Sequence, residues 1–206
     1  MLASAKASLP CIYGDLNMLV DASHRRTLFA HPARPELFVL DWDSETIATQ
    51  AIHASAAVSV TPPRNHEGTI LNLALSPNGQ ELVTVGAADG LAWLNPDTLA
   101  VEARVPDVPF FNVYDNCYCT YLSESPVAWS PTGDIYATGY AGGRIALRDR
   151  ATEKLLGVLE PPTDHDVIVR ATSTDFGPVL LQFSPDMRQL VALYPHVAVG
   201  YSLTPE

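Results

Sequence analysis

The chain is short of bases, short of cysteine and without a long apolar run. Its 206 residues carry 12 lysines and arginines against 23 aspartates and glutamates, a formal charge of −11. A protein that tracks phosphates needs a basic stripe to displace counterions, so direct nucleic-acid binding is excluded as the expected role. No stretch approaches the roughly 18–20 apolar residues that cross a bilayer as a helix, which excludes a helical membrane span. Met1 to Pro10 holds one lysine and no continuous apolar segment before a cleavage site, so a secretory signal is not expected. The same ten residues lack acids, as a mitochondrial presequence does, but they also lack arginine. Three cysteines, Cys11, Cys117 and Cys119, are too few and too unevenly placed for a disulfide framework. The expected setting is reducing, in the cytoplasm or nucleus.

What is present is a foldable, turn-rich chain. Hydrophobic residues make up 47% and charged residues 17%, a balance that suits a buried core rather than an acidic tail. The 17 prolines and 12 glycines punctuate the sequence at short intervals. Between them, segments such as Ile70 to Leu75, Glu81 to Val85 and Ile145 to Leu147 alternate or run apolar over strand length. The expected class is all-β.

The turn Ser76-Pro77-Asn78-Gly79 returns as Ser130-Pro131-Thr132-Gly133 and, imperfectly, as Ser184-Pro185-Asp186-Met187, in two steps of 54 residues. The same step back from Ser76 reaches Ala22, where the motif is degraded. Apolar strands flank each turn: Leu73 and Leu75, Val127 and Trp129, Leu181 and Phe183 precede it, with Leu19 in the first copy. Leu28, Leu82, Tyr136 and Leu190 follow it. A third strand is marked by Leu37 and Val39, Leu91 and Trp93, Ile145 and Leu147, Val199 and Tyr201, and ends in a polar turn at Asp41, Asn95 and Asp149. A fourth fits Thr46–Ala51, Leu99–Val105 and Lys154–Leu159. Regular short strands at such a period predict a propeller or array, an all-β fold of about four four-stranded antiparallel sheets, each too small to bury its own apolar faces and therefore stacked on its neighbours as the blades of a β-propeller are.

The residues from Asn65 to Gly79, Asn-His-Glu-Gly-Thr-Ile-Leu-Asn-Leu-Ala-Leu-Ser-Pro-Asn-Gly, resemble the Gly-His start, first strand and turn of WD40-type propeller repeats, with Asn65 for the initial glycine. Arg144 to Lys154 is similar to the family's closing strand, with Arg148 where tryptophan usually stands. Leu94 and Leu40 stand there in the second and first copies, so the Trp-Asp dipeptide that names the family is missing. The resemblance spans roughly residues 15–206 and is clearest in the second copy. It implies that His66 and Asp89 form a polar pair inside that blade, a structural role rather than a catalytic one. The third copy has Thr120 and Gly142 instead.

The single domain, 1–206, divides into blades at about 15–51, 69–105, 125–160 and 178–206. The period exceeds the family's usual ~40–45 residues by on the order of ten. The surplus lies between blades, in Ile52–Asn65, Pro106–Glu124 and Pro161–Gly177, which family geometry gathers on one face of the disc. The fourth copy runs to Glu206 without a fourth strand. Two arrangements are open: a ring closed by a strand from residues 1–14, or an open arc completed by another chain or by a second copy.

Several groups invite a chemical reading. Cys117 and Cys119 flank Tyr118 without a second ligand pair, and His53, His66, His165 and His196 are scattered, so no metal site is expected. His165 sits between Asp164 and Asp166 with no nucleophile motif beside it, and reads as a solvated loop. Gly139 to Gly143 lies between two strands with no lysine and no following helix, so it reads as a hairpin rather than a phosphate cradle. The connector before the third blade gathers Phe110, Phe111, Tyr114 and Tyr118 with Asp107 and Asp115. Aromatics ringed by charge are either a cover for the blade beneath or a partner-binding anchor.

The expected function is a non-catalytic protein–protein interaction scaffold, a propeller subunit of a larger complex with no cofactor, whose acidic surface favours a basic partner. The competing expectation is a propeller that binds a small ligand, metal or carbohydrate, or catalyses a reaction, in its central channel.

Overall fold

A computed structural model describes residues 17–30, 36–52, 70–86, 90–105, 126–139, 143–161, 178, 180–194 and 197–203. Fifteen strands form four antiparallel sheets among them. The first contains β1 (Asn17–Asp21), β2 (Arg26–Ala30), β3 (Glu36–Asp41) and β4 (Ile47–Ala51). The second contains β5 (Ile70–Leu75), β6 (Leu82–Gly86), β7 (Gly90–Leu94) and β8 (Val101–Val105). The third contains β9 (Val127–Trp129), β10 (Ile135–Gly139), β11 (Ile145–Asp149) and β12 (Leu155–Leu159). The fourth has three strands among the described residues, β13 (Leu180–Phe183), β14 (Gln189–Tyr194) and β15 (Val197–Ser202).

Each sheet is a meander in chain order, and its first strand lies beside the first strand of the next: β1 by β5, β5 by β9, β9 by β13. The sheets are therefore four blades of a β-propeller, as the 54-residue repeat predicts. The strand expected from residues 1–14 lies outside the described residues.

Burial follows position in the stack. Blade 2 has neighbours on both sides, so β6 and β7 are buried at every residue, Leu82 to Gly86 and Gly90 to Leu94. In blade 4, β14 alternates buried and exposed along its length, its buried side packed against blade 3. The fourth strands β4, β8 and β12 are mostly exposed. Three apolar clusters fill the three seams. Leu28, Leu37, Leu73, Leu82 and Leu94 lie between blades 1 and 2. Val83, Leu91, Trp93, Trp129 and Tyr136 lie between blades 2 and 3, and Ile145, Leu181, Phe183 and Leu190 between blades 3 and 4.

The repeat is less regular in the strands than in the turns. Backbone bonds close the turn at Ala22–Arg25, Ser76–Gly79, Ser130–Gly133 and Ser184–Met187, all 54 residues apart. The strands beside the first turn are one residue out of step. Val20 pairs with Thr27 where Leu75 pairs with Leu82, a shift of 55. Six residues separate the paired Ala30 and Leu37, whereas five separate the paired Val85 and Leu91. One residue reverses a strand's faces, so Leu19 and Leu28 face blade 2 whereas Leu73 and Leu82, their expected matches, face blade 1. Blade 4 shows the opposite change: four residues separate Leu193 from Ala198, against five between Gly139 and Ile145. As a result Val199 and Tyr201 face blade 3, whereas Ile145 and Leu147 face blade 4.

At Gly139 two blades approach closely. A β-carbon there would stand 2.8 Å from Pro126 Cδ and 2.8 Å from Pro178 Cγ, in blades 3 and 4. Neither ring can swing aside as a long side chain would. Gly139→Ala is expected to cost about 1–3 kcal/mol by overpacking, read from urea denaturation; unchanged stability would mean that the seam has slack at the two prolines.

Candidate interaction surface

The residues singled out for function, His66, Asp89, Asp107, Phe110, Phe111, Tyr114, Asp115 and Tyr118, all lie outside the described residues, as do Cys11, Cys117 and Cys119. What the structure describes in detail is the end of the blades where the turn after each first strand and the turn after each third strand lie.

These turns are built by short polar side chains. Ser76 Oγ donates to Asn78 Oδ1 at 2.7 Å and accepts the Glu81 amide at 2.9 Å. Ser184 repeats this with Asp186 and Gln189 at 2.7 and 2.9 Å. After the third strands, Asp41 accepts the Ser44 amide at 2.7 Å, Asn95 the Thr98 amide at 3.1 Å and Asp149 the Thr152 amide at 2.8 Å. The Ser44 amide holds the Asp41 carboxyl below its usual range, and the Thr152 hydroxyl does so for Asp149. The residues four on, Glu45, Leu99 and Glu153, take positive φ at the same 54-residue spacing.

At the seams between blades 1 and 2 and between blades 2 and 3 the first turn of one blade reaches the second turn of the next. Arg150 of blade 3 forks onto Glu81 of blade 2, Nη2 to Oε1 at 2.7 Å and Nε to Oε2 at 3.2 Å. It also binds Glu153 at 2.9 Å and lies with its guanidinium carbon 4.0 Å from the centre of the Trp93 ring. Beneath it Trp93, Trp129 and Tyr136 form a cluster, with Trp93 5.3 Å from Trp129 and 5.1 Å from Tyr136. The Tyr136 hydroxyl donates to Glu153. Burial, and then that carboxylate, push its phenol well above the ordinary tyrosine value.

The seam between blades 1 and 2 is more polar. Asp21, fully buried, accepts from Ser23 Oγ at 2.6 Å, faces His24 Nδ1 at 2.8 Å and accepts from Arg26 Nε at 2.9 Å. Burial opposes ionisation, but the bonds from Ser23, Arg26 and His24 outweigh it and hold the carboxyl below its usual value. Arg26 also donates to the Pro96 carbonyl of blade 2, and His24 Nε2 meets Asp97 Oδ1 at 2.6 Å. Serine, histidine and aspartate here do not form a nucleophilic set. Ser23 lies 3.1 Å from Nδ1, the nitrogen that also faces Asp21, while Nε2, which would serve a nucleophile, is occupied by Asp97. Between blades 3 and 4, Tyr194 OH donates to the Gly143 carbonyl at 2.6 Å and lies 2.9 Å from Tyr201 OH.

Reasoning from the sequence did not single out these seam groups. Arg150 was visible only as the residue after the polar turn at Asp149, and Asp21, His24 and Arg26 lay in the copy where the turn motif is degraded. Among the described residues no cluster of histidine, cysteine, aspartate and glutamate is arranged to hold a metal ion, and no helix is long and apolar enough to cross a membrane.

The fold is that of a WD40-like propeller. The chain superposes on the crystal structure of the Myceliophteria thermophila Cps50 (Swd1) beta-propeller domain with a TM-score of 0.61 and 19% sequence identity. The match covers 92% of this chain and 51% of the other, so the chain spans about half the length of that domain. No family model and no curated relative matches the sequence.

Proposed function

We propose that the protein is a non-catalytic interaction scaffold, a WD40-like propeller subunit of a larger complex. The observation that carries this reading is where the polar groups go. Among the described residues the buried Arg26, which the buried Asp21 carboxylate holds from within blade 1, and the Arg150–Glu81 pair are engaged across seams. They lock blades together, and a rigid stack of blades presents its connectors as a fixed array of loops. The similarity to the Cps50 (Swd1) propeller domain supports the fold half of the argument. The partner site is the connector 106–124, with Phe110, Phe111, Tyr114 and Tyr118 as anchors and Asp107 and Asp115 as their charged surround. The net charge of −11 steers a basic partner to it.

The test is copurification of the tagged chain followed by mass spectrometry, with the Phe111→Ala, Tyr114→Ala double variant in parallel. A stoichiometric partner lost from the variant is the expected result, through dissociation faster by a few kcal/mol, with an unchanged melting temperature. If the variant instead melts much earlier, the rings cover the protein's own blades. A monomer that copurifies with a bound ion or sugar would replace the scaffold by a channel-binding propeller.

A further inference from the structure

The fourth strands β4, β8 and β12 lie at the rim of their blades, each with one edge unpaired among the described residues. A free edge can pair with another chain, and proteins usually guard it with charged or polar side chains. β4 carries Thr49 and Gln50, and β8 carries Glu102 and Arg104. β12 runs Leu155-Leu156-Gly157-Val158-Leu159, with no polar side chain. Leu155 is 46% exposed, Leu156 53% and Val158 45%, whereas β4 and β8 each expose one large apolar side chain, Ile47 at 39% and Val101 at 37%. Both β8 and β12 bulge at the same place in the repeat, since Val101 and Ala103 pair with Leu94 and Trp93 as Leu155 and Gly157 pair with Arg148 and Leu147. The bulge residue is Glu102 in β8 and Leu156 in β12. The bulge belongs to the repeat, and the missing charge belongs to β12 alone.

The charges at the two ends of β12 identify what pairs with it. From Lys154 to Glu160 the order Lys-Leu-Leu-Gly-Val-Leu-Glu complements its own reverse. Set antiparallel about Gly157, Lys154 meets Glu160, Leu155 meets Leu159, Leu156 meets Val158, and the glycine meets its own copy. The bulged half of each strand then faces the regular half of the other. Both charged residues are exposed, and the Lys154 ammonium has no ion-pair partner among the described residues. Glu160 takes Arg144 Nε on Oε2 at 2.9 Å, and a carboxylate has room for a second cation. Gly157 adds a separate observation. A β-carbon there would meet nothing within 4 Å among the described residues, and its φ is not positive, so the blade itself does not require glycine at this place. Glycine within a strand suits the close approach of another backbone.

We propose that β12 is a dimerisation edge, at which two copies of the chain join their third blades into one continuous sheet by antiparallel pairing about a two-fold axis at Gly157. The contact is the same patch on both copies and therefore closes at two. It lies on the rim, so it is independent of the connector site and of how the ring of blades is completed.

Sedimentation equilibrium and native mass spectrometry of the full chain at micromolar concentration should give twice the 22.2 kDa of one chain. Lys154→Glu sets two acid pairs across the axis and Glu160→Lys sets two base pairs there, so each variant alone should raise the dissociation constant by about tenfold or more. Mixing the two variants should restore the dimer, because every pair across the axis then joins an acid to a base. A two-fold antiparallel contact alone gives that rescue. Val158→Lys puts a charge on the edge itself and should also give a monomer; it serves if Glu160→Lys disturbs the fold beside Arg144, and circular dichroism checks that each variant folds. A folded wild-type monomer, a dimer indifferent to either charge reversal or to Val158→Lys, or a mixture of the two charge variants that stays monomeric would each overturn the proposal.

Discussion

Trp129→Ala is expected to lower unfolding free energy by about 3–5 kcal/mol, the cost of emptying an aromatic site in a packed core. Trp129 comes from the three-residue strand β9 and is buried against blade 2. Its ring lies 5.3 Å from Trp93 at 57° and 6.1 Å from Tyr136 at 58°. The neighbouring rings have little freedom to collapse into the space. Trp93 lies under the Arg150 guanidinium, which Glu81 and Glu153 hold in place, and Tyr136 is tied to Glu153. Trp129→Phe should cost less, about 1–2 kcal/mol, because it keeps a ring in the cluster and removes an indole N–H that has no partner among the described residues. Urea denaturation of the two variants checks the order. Equal losses would show that the indole is held by a hydrogen bond rather than by packing, and no loss would mean that blades 2 and 3 do not meet at this cluster.

The period was legible because the turns keep it. Ser76, Ser130 and Ser184 recur at 54 residues since each hydroxyl accepts the amide that closes its turn, a job that few side chains do. The facing of the strands was not legible. In a propeller both sides of an inner blade are buried, so Leu82 and Val83 are equally apolar although they face opposite neighbours. A column that is apolar in every copy therefore fixes a strand without fixing its side. One additional residue between β2 and β3, and one fewer between β14 and β15, turned Leu28 and Tyr201 over without any visible break in the pattern.

The seams were hidden for a related reason. Inter-blade polar contacts join residues 51 to 73 apart, such as Tyr194 to Gly143, Arg150 to Glu81 and His24 to Asp97, and they differ from seam to seam. Arginine and glutamate hold one seam, histidine and aspartate the next, tyrosine and a carbonyl the third. A repeat search looks for identity between copies. The contacts that bind copies together share no residue type, and the third lies at the other end of the blades. The candidate connector was legible only as composition, an aromatic and acidic stretch of surplus length, and it lies outside the described residues.

Asp21→Ala should destabilise the protein by about 3–5 kcal/mol at neutral pH, since it leaves the buried Arg26 without its carboxylate. Arg26 has little access to water in the fold, and the Pro96 carbonyl can accept its hydrogen bond but cannot neutralise its charge. The loss should be strongly non-additive. Asp21→Ala combined with Arg26→Met, which removes both charges and keeps an unbranched apolar chain across the seam, should recover a large part of the stability. The effect also carries a pH signature with a definite sign. The folded-state value of Asp21 lies below that of an unfolded aspartate, about 3.9, so its contribution is complete above that pH and is lost as the pH falls through the folded value. Wild type and Asp21→Ala should therefore differ most near neutrality and converge in acid, in urea titrations run at matched ionic strength. A gap that stays constant from neutral pH into acid would show that the alanine variant loses packing rather than an ion pair, and additive losses in the double variant would show that Arg26 finds its counter-charge elsewhere.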